Sequence, residues 1–513
     1  MVRRKTLRLV LGDQLNENHS WFRNRTDGVV YLLMEVRQET DYVTHHIQKV
    51  AAFFAAMRAF AARLRDTGHT VHYIRLDDPA NRQTFEDNIA HLIDTYGFRK
   101  FEYLQPDEFR LDEQLRDMAD ELRVASEVFD TEHFLTRRTD VAHLFAGKTQ
   151  YLMETFYRRM RKVHDIMLED GKPVGGRWNY DARNRMHYDG KVSIPSPLFF
   201  HNDVTDIAAM LGRMNVRTFG NLTPEALIWP VTRPQALEVL RYFLINGLPY
   251  FGTYEDAMTE HSRTLFHSRL SFALNTKMLS PREVIDAALN EWHRHPREIE
   301  IQQVEGFVRQ ILGWREYMRG MYWMLMPAFK TMNFFNHTAT LPHYFWDAQT
   351  HMHCMHRALS QSLDEAYAHH IQRLMITGNF ALLAGIHPDY VDEWYLGVYI
   401  DAIEWAELTN TRGMSQFADG GIIATKPYVS SARYLHTMSD YCKHCRYDHS
   451  RRHGALACPF NSLYWDFLHR HRAKLAHISR MGIMYGTLDK MAADERTRTL
   501  KQADHYQKII ENL

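Results

Sequence analysis

Four cysteines are the residues whose spacing points most directly to chemistry. Cys442 and Cys445 form a C-x-x-C pair, Cys458 precedes a proline, and Cys354 lies 88 positions before Cys442. Four thiolates can hold Zn²⁺ or an iron–sulfur cluster. A C-x-x-C pair alone could be a redox pair, which leaves two cysteines unexplained, and a lone cysteine is often only a small buried hydrophobe. The spacing favours a metal site and does not separate zinc from iron–sulfur.

A second pattern combines histidine, arginine and aromatic residues. At helical spacing His370, Arg373 and Thr377 share a face, so a titratable ring and a fixed cation point to one place. A satisfied structural histidine is the simpler interpretation. Aromatic residues follow closely at Trp394, Tyr395, Tyr399 and Trp405, with Trp346 upstream. Such residues are normally core, but in line from a redox cofactor to the surface they would relay electrons.

A third pattern could bind phosphate. Two hydroxyls and a guanidinium lie within four positions, on Ser268, Arg269 and Ser271, and these groups suit a phosphate at the start of a helix. Helix capping alone also explains the serines. Downstream, Glu305 and Arg309 could pair as a structural network. Together with Trp314, Glu305 and Arg309 could equally line a pocket that holds a flavin.

The elements that position these residues differ along the chain. Apolar runs predict five strands, at 7–11, 29–36, 71–76, 101–104 and 124–129, and amphipathic stretches predict helices at 42–65, 81–96 and 107–123. This order is that of a doubly wound parallel α/β sheet. Gly12 and Asp13 follow the first strand, where such sheets bind ligands, and the dinucleotide motif G-x-G-x-x-G is absent.

The remaining chain predicts two further parts. From Thr136 to about Pro230 turn clusters dominate, with one helix around 151–167, and from residue 231 the pattern is helical almost to the end. We therefore expect an α/β domain over 1–135, a connector over 136–230 and a large all-α domain over 231–513.

Composition limits the function classes. The 513 residues carry 62 basic and 62 acidic side chains and 45% hydrophobic residues, which excludes extended disorder, and four cysteines exclude a disulfide scaffold. No apolar stretch is long enough to span a membrane, and the start, Met1–Thr6, leads into a short strand-like segment instead of a signal-peptide core. A cytoplasmic protein is expected.

Residues 101–150 hold 6 basic and 12 acidic side chains, whereas 451–500 hold 9 and 4, so local basic patches leave a nucleic-acid partner open.

Together these motifs resemble the iron–sulfur bacterial cryptochrome/photolyase family, specifically its bacterial (6-4) photolyases. The resemblance covers nearly the whole chain. It rests on the four cysteines and on the segments 11–15, 42–46, 173–179, 305–317, 366–375, 414–421 and 425–428.

The resemblance implies three cofactors. FAD would lie in the helical domain, with Ser268, Arg269 and Ser271 near its phosphates, Glu305, Arg309 and Trp314 along its pocket and Glu407 at the flavin N5 edge. A [4Fe–4S] cluster would lie on Cys354, Cys442, Cys445 and Cys458. A 6,7-dimethyl-8-ribityllumazine antenna would lie near Gly12, Asp13, Glu39 and Tyr42.

The resemblance also implies a reaction and a partner. Light absorbed by the antenna would excite reduced FAD, which would repair a (6-4) pyrimidine–pyrimidone lesion flipped out of UV-damaged DNA. Trp394, Trp346 and Tyr395 would be the photoreduction relay, and His369, His370 and Tyr428 would face the lesion, with His370 as general acid. Arg158, Arg159, Arg161, Lys162, Arg183, Arg185 and the 451–474 region would contact phosphates, and Asp181 could hold Mg²⁺ near the lesion. We expect a monomer, associated with the nucleoid through DNA.

Two other functions fit parts of the sequence. A blue-light sensory cryptochrome would keep the same cofactors without repairing DNA. A non-catalytic DNA-binding protein stapled by zinc would use the aromatic residues only as core. Repair under illumination separates the first from a photolyase, and a colourless preparation would favour the second.

Overall fold

The computed structural model describes residues 5–513, and an N-terminal five-stranded parallel sheet is its first element. The strands are β1 (Thr6–Leu9), β2 (Val29–Met34), β3 (Val71–Ile74), β4 (Lys100–Leu104) and β5 (Ala125–Phe129). Their order is β3-β2-β1-β4-β5, with Thr6 beside both Val29 and Lys100. The predicted doubly wound α/β fold is confirmed. Met1–Arg4, part of the segment for which we expected no signal-peptide core, lie outside the described residues.

Both faces of the sheet are covered, as the apolar runs require. All six residues of β2 are buried, which is typical of a central parallel strand. Helices Phe85–Tyr96 and Phe109–Glu121 pack on one face. Helix Ile47–Asp66 packs on the other, in a core that continues into the C-terminal helices.

The helix predicted from Tyr42 begins later than expected. Arg37–Asp41 is a separate short helix, and His45–His46 pairs in parallel with Thr218–Phe219 of the connector. The His46 side chain then accepts a hydrogen bond from the Gln48 backbone and caps the helix at Ile47.

The segment predicted as a connector contains more regular structure than its sequence indicated. Its helices are Asp140–Leu144, Met153–His164 and Thr205–Arg213, and Leu168–Glu169 forms a small hairpin with Lys172–Pro173. The helix predicted around 151–167 ends at Asp165, which adopts a left-handed conformation.

The rest of the described chain is helical. Its α-helices are Arg233–Asn246, Leu248–Phe251, Ser271–Asn275, Pro281–Arg294, Ile301–Val308, Glu316–Leu325, Tyr344–Asp347, His353–Glu365, His370–Gln372, Asn379–Ala384, Pro388–Val398, Glu404–Leu408, Ala432–Met438, Pro459–Arg470, Arg472–Leu475, Gly482–Lys490 and Ala493–Lys508. No helix within residues 5–513 has the length and apolar character needed to cross a membrane.

Three π-helical segments interrupt these helices, at Arg309–Arg315, Arg373–Gly378 and Thr409–Ser415. Such segments are rare and concentrate at functional sites. The second and third touch each other at Gly378, where a Cβ atom would lie 2.2 Å from the Ser415 hydroxyl oxygen. The close approach therefore requires glycine at position 378.

Candidate functional site

An enclosed ion pair lies at the centre of the helical part. Arg373, the first residue of the second π-helical segment, donates to Asp401 through Nη1 (2.9 Å) and Nη2 (3.2 Å). Ser271 and Asn275 hold Asp401 through its carboxylate and its backbone carbonyl, respectively. Burial opposes ionisation of Asp401, but Arg373 outweighs it and lowers the pKa of that carboxyl. Sequence reasoning identified Arg373 and Ser271 and missed Asp401.

Arg269 is a buried cation without an anionic hydrogen-bond partner among the described residues. Its Nη1 donates to the Leu198 carbonyl, whereas Nε and Nη2 are buried and unbonded. The guanidinium lies over the Trp229 ring at 4.4 Å, and burial lowers its pKa. Ser268 and Arg269 line a cleft of about 370 Å³, measured to its open mouth. A buried, unsatisfied guanidinium beside hydroxyls is compatible with the phosphates of FAD.

Glu407 has the environment of a neutral acid. It lies on helix Glu404–Leu408, just before the third π-helical segment, and neither carboxyl oxygen has a hydrogen-bond partner of ordinary geometry. Burial, followed by the charge of Asp392, raises its pKa well above the usual range. A protonated carboxyl can donate to a ring nitrogen, so Glu407 is compatible with a flavin edge.

Three histidines, and not two, come together beside this ion pair. His267 stacks on His369 with 4.5 Å between ring centroids and 12° between planes. His267 also bonds the Glu255 backbone carbonyl, and its Nε2 is buried without a partner. His267 directly precedes the serine–arginine motif, and the sequence pattern predicted no role for it.

His370 is exposed to solvent, with protein atoms close around its ring. Burial, followed by the guanidinium of Arg373, lowers its pKa to about 4. The ring is therefore neutral at neutral pH in this structure.

Glu305 and Arg309 belong to a neighbouring polar cluster. Glu305 is fully buried and accepts from the Tyr157 hydroxyl (3.0 Å) and the Tyr180 backbone (2.9 Å). Arg309 donates to Asp181 at 3.0 Å. Trp314, on the same π-helical segment, makes its ring contact with Tyr317.

The second oxygen of Asp181 accepts from Arg185, so two guanidinium groups occupy its carboxylate. Within residues 5–513, no group of three or more His, Cys, Asp or Glu side chains could hold a metal ion. Both carboxylate oxygens of Asp181 are thus engaged by guanidinium groups, and Mg²⁺ at Asp181 stays a prediction. Tyr428 lies within the electrostatic reach of Asp181, Arg185 and Arg480, on this side of the site.

Aromatic residues connect the ion pair with the surface. The Tyr395 hydroxyl donates to the Arg373 carbonyl (2.7 Å), and its ring lies 5.4 Å from that of Trp394. Trp394 is buried and donates to the Phe345 carbonyl (3.1 Å), next to Trp346, whose side chain is 42% exposed. Tyr395 and Trp394 are thus in ring contact, and the Trp346 ring lies against Phe219 at 5.1 Å.

The four residues expected around the antenna line one cavity at the carboxyl ends of the strands. The cavity has a volume of about 820 Å³, including the solvent at its opening, and its lining contains Gly12, Asp13, Glu39 and Tyr42. Arg110 lies over the Tyr42 ring at 4.3 Å and pairs with Glu39 at 2.9 Å. The helical part contributes Ala402 and Ile403 to the wall. An apolar lining with a few polar groups suits a heteroaromatic ligand.

The four cysteines are free thiols that lie within electrostatic reach of one another. Burial, followed by the thiols of Cys458, Cys445 and Cys442, raises the pKa of Cys354. The Cys445 sulfur accepts from the Tyr447 backbone at 3.4 Å, and backbone groups of Phe460 and Asn461 bond Cys458. Among residues 5–513, no group of three or more His, Cys, Asp or Glu side chains, the four cysteines included, is arranged around a single metal ion. An iron–sulfur cluster separates its ligands more widely, since each thiolate binds a different iron atom.

Comparison with known proteins shows the family of the chain. Residues 8–227 match the family model described as deoxyribodipyrimidine photo-lyase-related protein. The chain is 42% identical over 495 residues to a "(6-4) photolyase" from Agrobacterium fabrum, which covers 95% of this chain and 96% of the relative. The chain belongs to the photolyase family.

Solved structures share the photolyase fold. A bacterial class III photolyase from Agrobacterium tumefaciens matches with a TM-score of 0.61 and 13% identity, covering 99% of this chain and 98% of that one. A cryptochrome from Synechocystis sp. PCC6803 matches with a TM-score of 0.55 and 12% identity, covering 99% of each chain.

The basic residues expected to contact DNA divide into two groups in this photolyase. Arg158, Arg159, Lys162 and Arg183 are exposed, and Arg158 pairs with Glu154 on its own helix. The prediction for Arg161 is wrong. Its side chain is 0% exposed and donates to the carbonyls of Ile166, Met167 and Trp178, so it fixes the backbone after helix Met153–His164.

Proposed function

We propose that this photolyase repairs (6-4) pyrimidine–pyrimidone photoproducts in DNA under light. The observation that carries the proposal is the meeting of the three histidines, the Arg373–Asp401 pair and the aromatic route at one concave site. This combination supplies hydrogen-bond donors, a fixed charge and an electron path in one place. The full-length similarity to a "(6-4) photolyase" supports the lesion type.

FAD is proposed to lie against Arg269, Ser271, the Arg373–Asp401 pair and Glu407. Bound and reduced, it would supply the light-excited electron for the lesion. Arg269 would neutralise phosphate charge, because two of its nitrogens lack partners. The neutral Glu407 carboxyl would hydrogen-bond the ring edge, and the buried aromatic core would exclude water from the flavin.

His370 is proposed to be the general acid. Its neutral ring carries one N–H, which can hydrogen-bond a lesion oxygen as negative charge develops there, and a protonated ring can transfer its proton to that oxygen and return to the neutral form. Hydroxyl migration back to its original base needs such a proton at the reacting oxygen. Tyr428 is proposed to contact the lesion from the Asp181 side of the site.

Trp394, Trp346 and Tyr395 are proposed to return the flavin to its reduced form by passing electrons inward from the surface. The exposed Trp346 is the entry point, because it is the only member of the three in contact with solvent. Tyr395 is the inner end, since its hydroxyl bonds the Arg373 backbone.

We propose that the four cysteines bind a [4Fe–4S] cluster, which links helix His353–Glu365 to the segment 442–458. Free thiols, mutual proximity and backbone N–H groups that bond two of the sulfurs support it. A lumazine antenna is proposed for the cavity around Tyr42. Exposed Arg159, Lys162 and Arg183 are proposed to bind the phosphates of damaged DNA.

One experiment tests the central proposal. The purified, reduced protein is mixed with an oligonucleotide carrying one (6-4) photoproduct and illuminated with blue light, and intact thymines are quantified by chromatography. Repair predicts restored thymines with loss of the lesion's near-ultraviolet absorbance, and a dark sample is the control. Lesion binding without restored thymines would refute repair and favour a sensory role.

A further inference from the structure

One short segment touches both proposed chromophore sites. On the flavin side, Ser271 and Asn275 bond Asp401. On the antenna side, the Thr276 carbonyl accepts from the Leu15 backbone at 2.9 Å, directly after the loop that carries Gly12 and Asp13. Residues 271–277 therefore form a direct link between the two sites.

Lys277 ends this segment and anchors it to the antenna cavity. Its Nζ donates to the backbone carbonyl (2.7 Å) and carboxylate (2.9 Å) of Asp13, and lies 2.7 Å from Asp107 Oδ2. Both acids line the cavity. The Lys277 residue is 2% exposed and has a φ of 65°, in the left-handed region that non-glycine residues rarely adopt. The chain thus places the ammonium group between two cavity-wall carboxylates at a conformational cost.

The arrangement differs from an ordinary stabilising ion pair. Replacing a buried ion pair by apolar residues is often neutral or favourable for stability, so stability alone is weak reason for this charge cluster. The two carboxylate partners of Lys277, on Asp13 and Asp107, both line the antenna cavity. Burial raises the pKa of Asp13 despite Lys277, so the charge and orientation of this cavity acid depend on the lysine.

We propose that Lys277 is a positioning residue for the antenna chromophore: it orients Asp13 and Asp107 in the cavity wall and fixes that wall to the segment holding the flavin site. The inference rests on the proposed antenna and FAD sites. Excitation transfer falls steeply with the separation of two chromophores and depends on their mutual orientation. A rigid link of seven residues between the sites keeps both constant.

The test measures lumazine binding and transfer in Lys277→Met. The full-length variant is titrated with 6,7-dimethyl-8-ribityllumazine, and its affinity is followed by fluorescence. We expect a loss of about tenfold or more, equivalent to about 1.4 kcal/mol. FAD content and lesion repair under direct flavin excitation stay near wild type. Lys277→Arg should restore most of the affinity, because it keeps the charge.

Two further variants keep the test decisive. Lys508→Met removes an exposed lysine paired with Asp504 and should change neither affinity nor transfer. Lys277→Met/Asp13→Asn removes the cation together with the carboxylate that, within residues 5–513, forms its ion pair with Lys277 alone, so it should fold and hold FAD even if the single variant does not, yet bind lumazine weakly. Wild-type lumazine affinity and transfer in either Lys277→Met protein would overturn the inference. Joint loss of FAD and lumazine in both would also overturn it, because a purely structural ion pair predicts that result. If the wild type and all variants fail to repair DNA while Lys277→Met still lowers lumazine affinity, only the proposed function is refuted.

Discussion

Replacing Asp401 by asparagine should strongly destabilise the helical part, because it leaves the enclosed Arg373 guanidinium without its charge partner. The pair has two short contacts, of 2.9 and 3.2 Å, and its side chains are 18% and 10% exposed. Breaking such a pair by removing one partner costs about 3–5 kcal/mol. That is a large share of the roughly 5–15 kcal/mol that stabilises most folded domains.

Urea unfolding of the FAD-free protein, followed by tryptophan fluorescence, measures this loss as a lower midpoint. Arg373→Met/Asp401→Asn removes both charges and should recover at least half of the loss, which a double-mutant cycle quantifies. The folded-state pKa of Asp401 lies below that of the unfolded chain, so the pair stabilises above about pH 4 and its contribution disappears as pH falls further. The difference between wild type and Asp401→Asn should shrink in that range. A loss below about 1 kcal/mol at pH 7, or no recovery in the double variant, would refute the reasoning.

Five other variants test the site and the surface. His370→Ala should abolish lesion repair while the FAD absorbance stays unchanged, because it removes the proton donor only; retained repair would transfer that role to His369. Cys445→Ala should yield insoluble protein or protein without the broad brown absorbance of a cluster, and soluble brown protein would contradict its assignment as a ligand. Lys162→Met should lower the slope of log binding constant against log salt concentration by about one. Arg161→Met should leave that slope unchanged and lower the unfolding midpoint. Equal slopes for both variants would contradict the division into exposed and buried residues. Burial raises the pKa of Glu255 to about 8, so the wild type loses stability as pH rises from about 4.5 to 8, at most about 1.4 kcal/mol per pH unit. Glu255→Gln should remove that slope in unfolding measurements at pH 6 and 8, and an unchanged slope would show that another group titrates.

The sheet could be predicted from the sequence because its signal is local. A buried parallel strand such as Val29–Met34 needs a continuous apolar run, and the run is visible without knowledge of its neighbours. The start of the following helix was misplaced because the short pairing of His45–His46 with Thr218–Phe219 depends on residues more than 170 positions away.

The site was only partly predictable, because its remaining residues are defined by contacts between distant segments. Lys277 meets Asp13 across 264 positions, and a lone lysine after a short helix gives no local signal of that contact. Arg161 shows the opposite error. It stands in a basic run with Arg158, Arg159 and Lys162, and charge counts cannot show that helix geometry turns one of the four inward.

The π-helical segments determine how this site tolerates changes in chain length. A π turn contains one residue more than an α turn, so removing one residue from Arg373–Gly378 would restore regular α-helical bonding. The backbone would be well formed, but side chains inside the segment would change direction, because five residues would then fill the rotation that six fill now. The Thr377 hydroxyl would then leave Tyr395, and Gly378 would no longer face Ser415. Chain length at this segment is therefore fixed by the orientation of the side chains around the site, and the helix itself would accept the shorter chain.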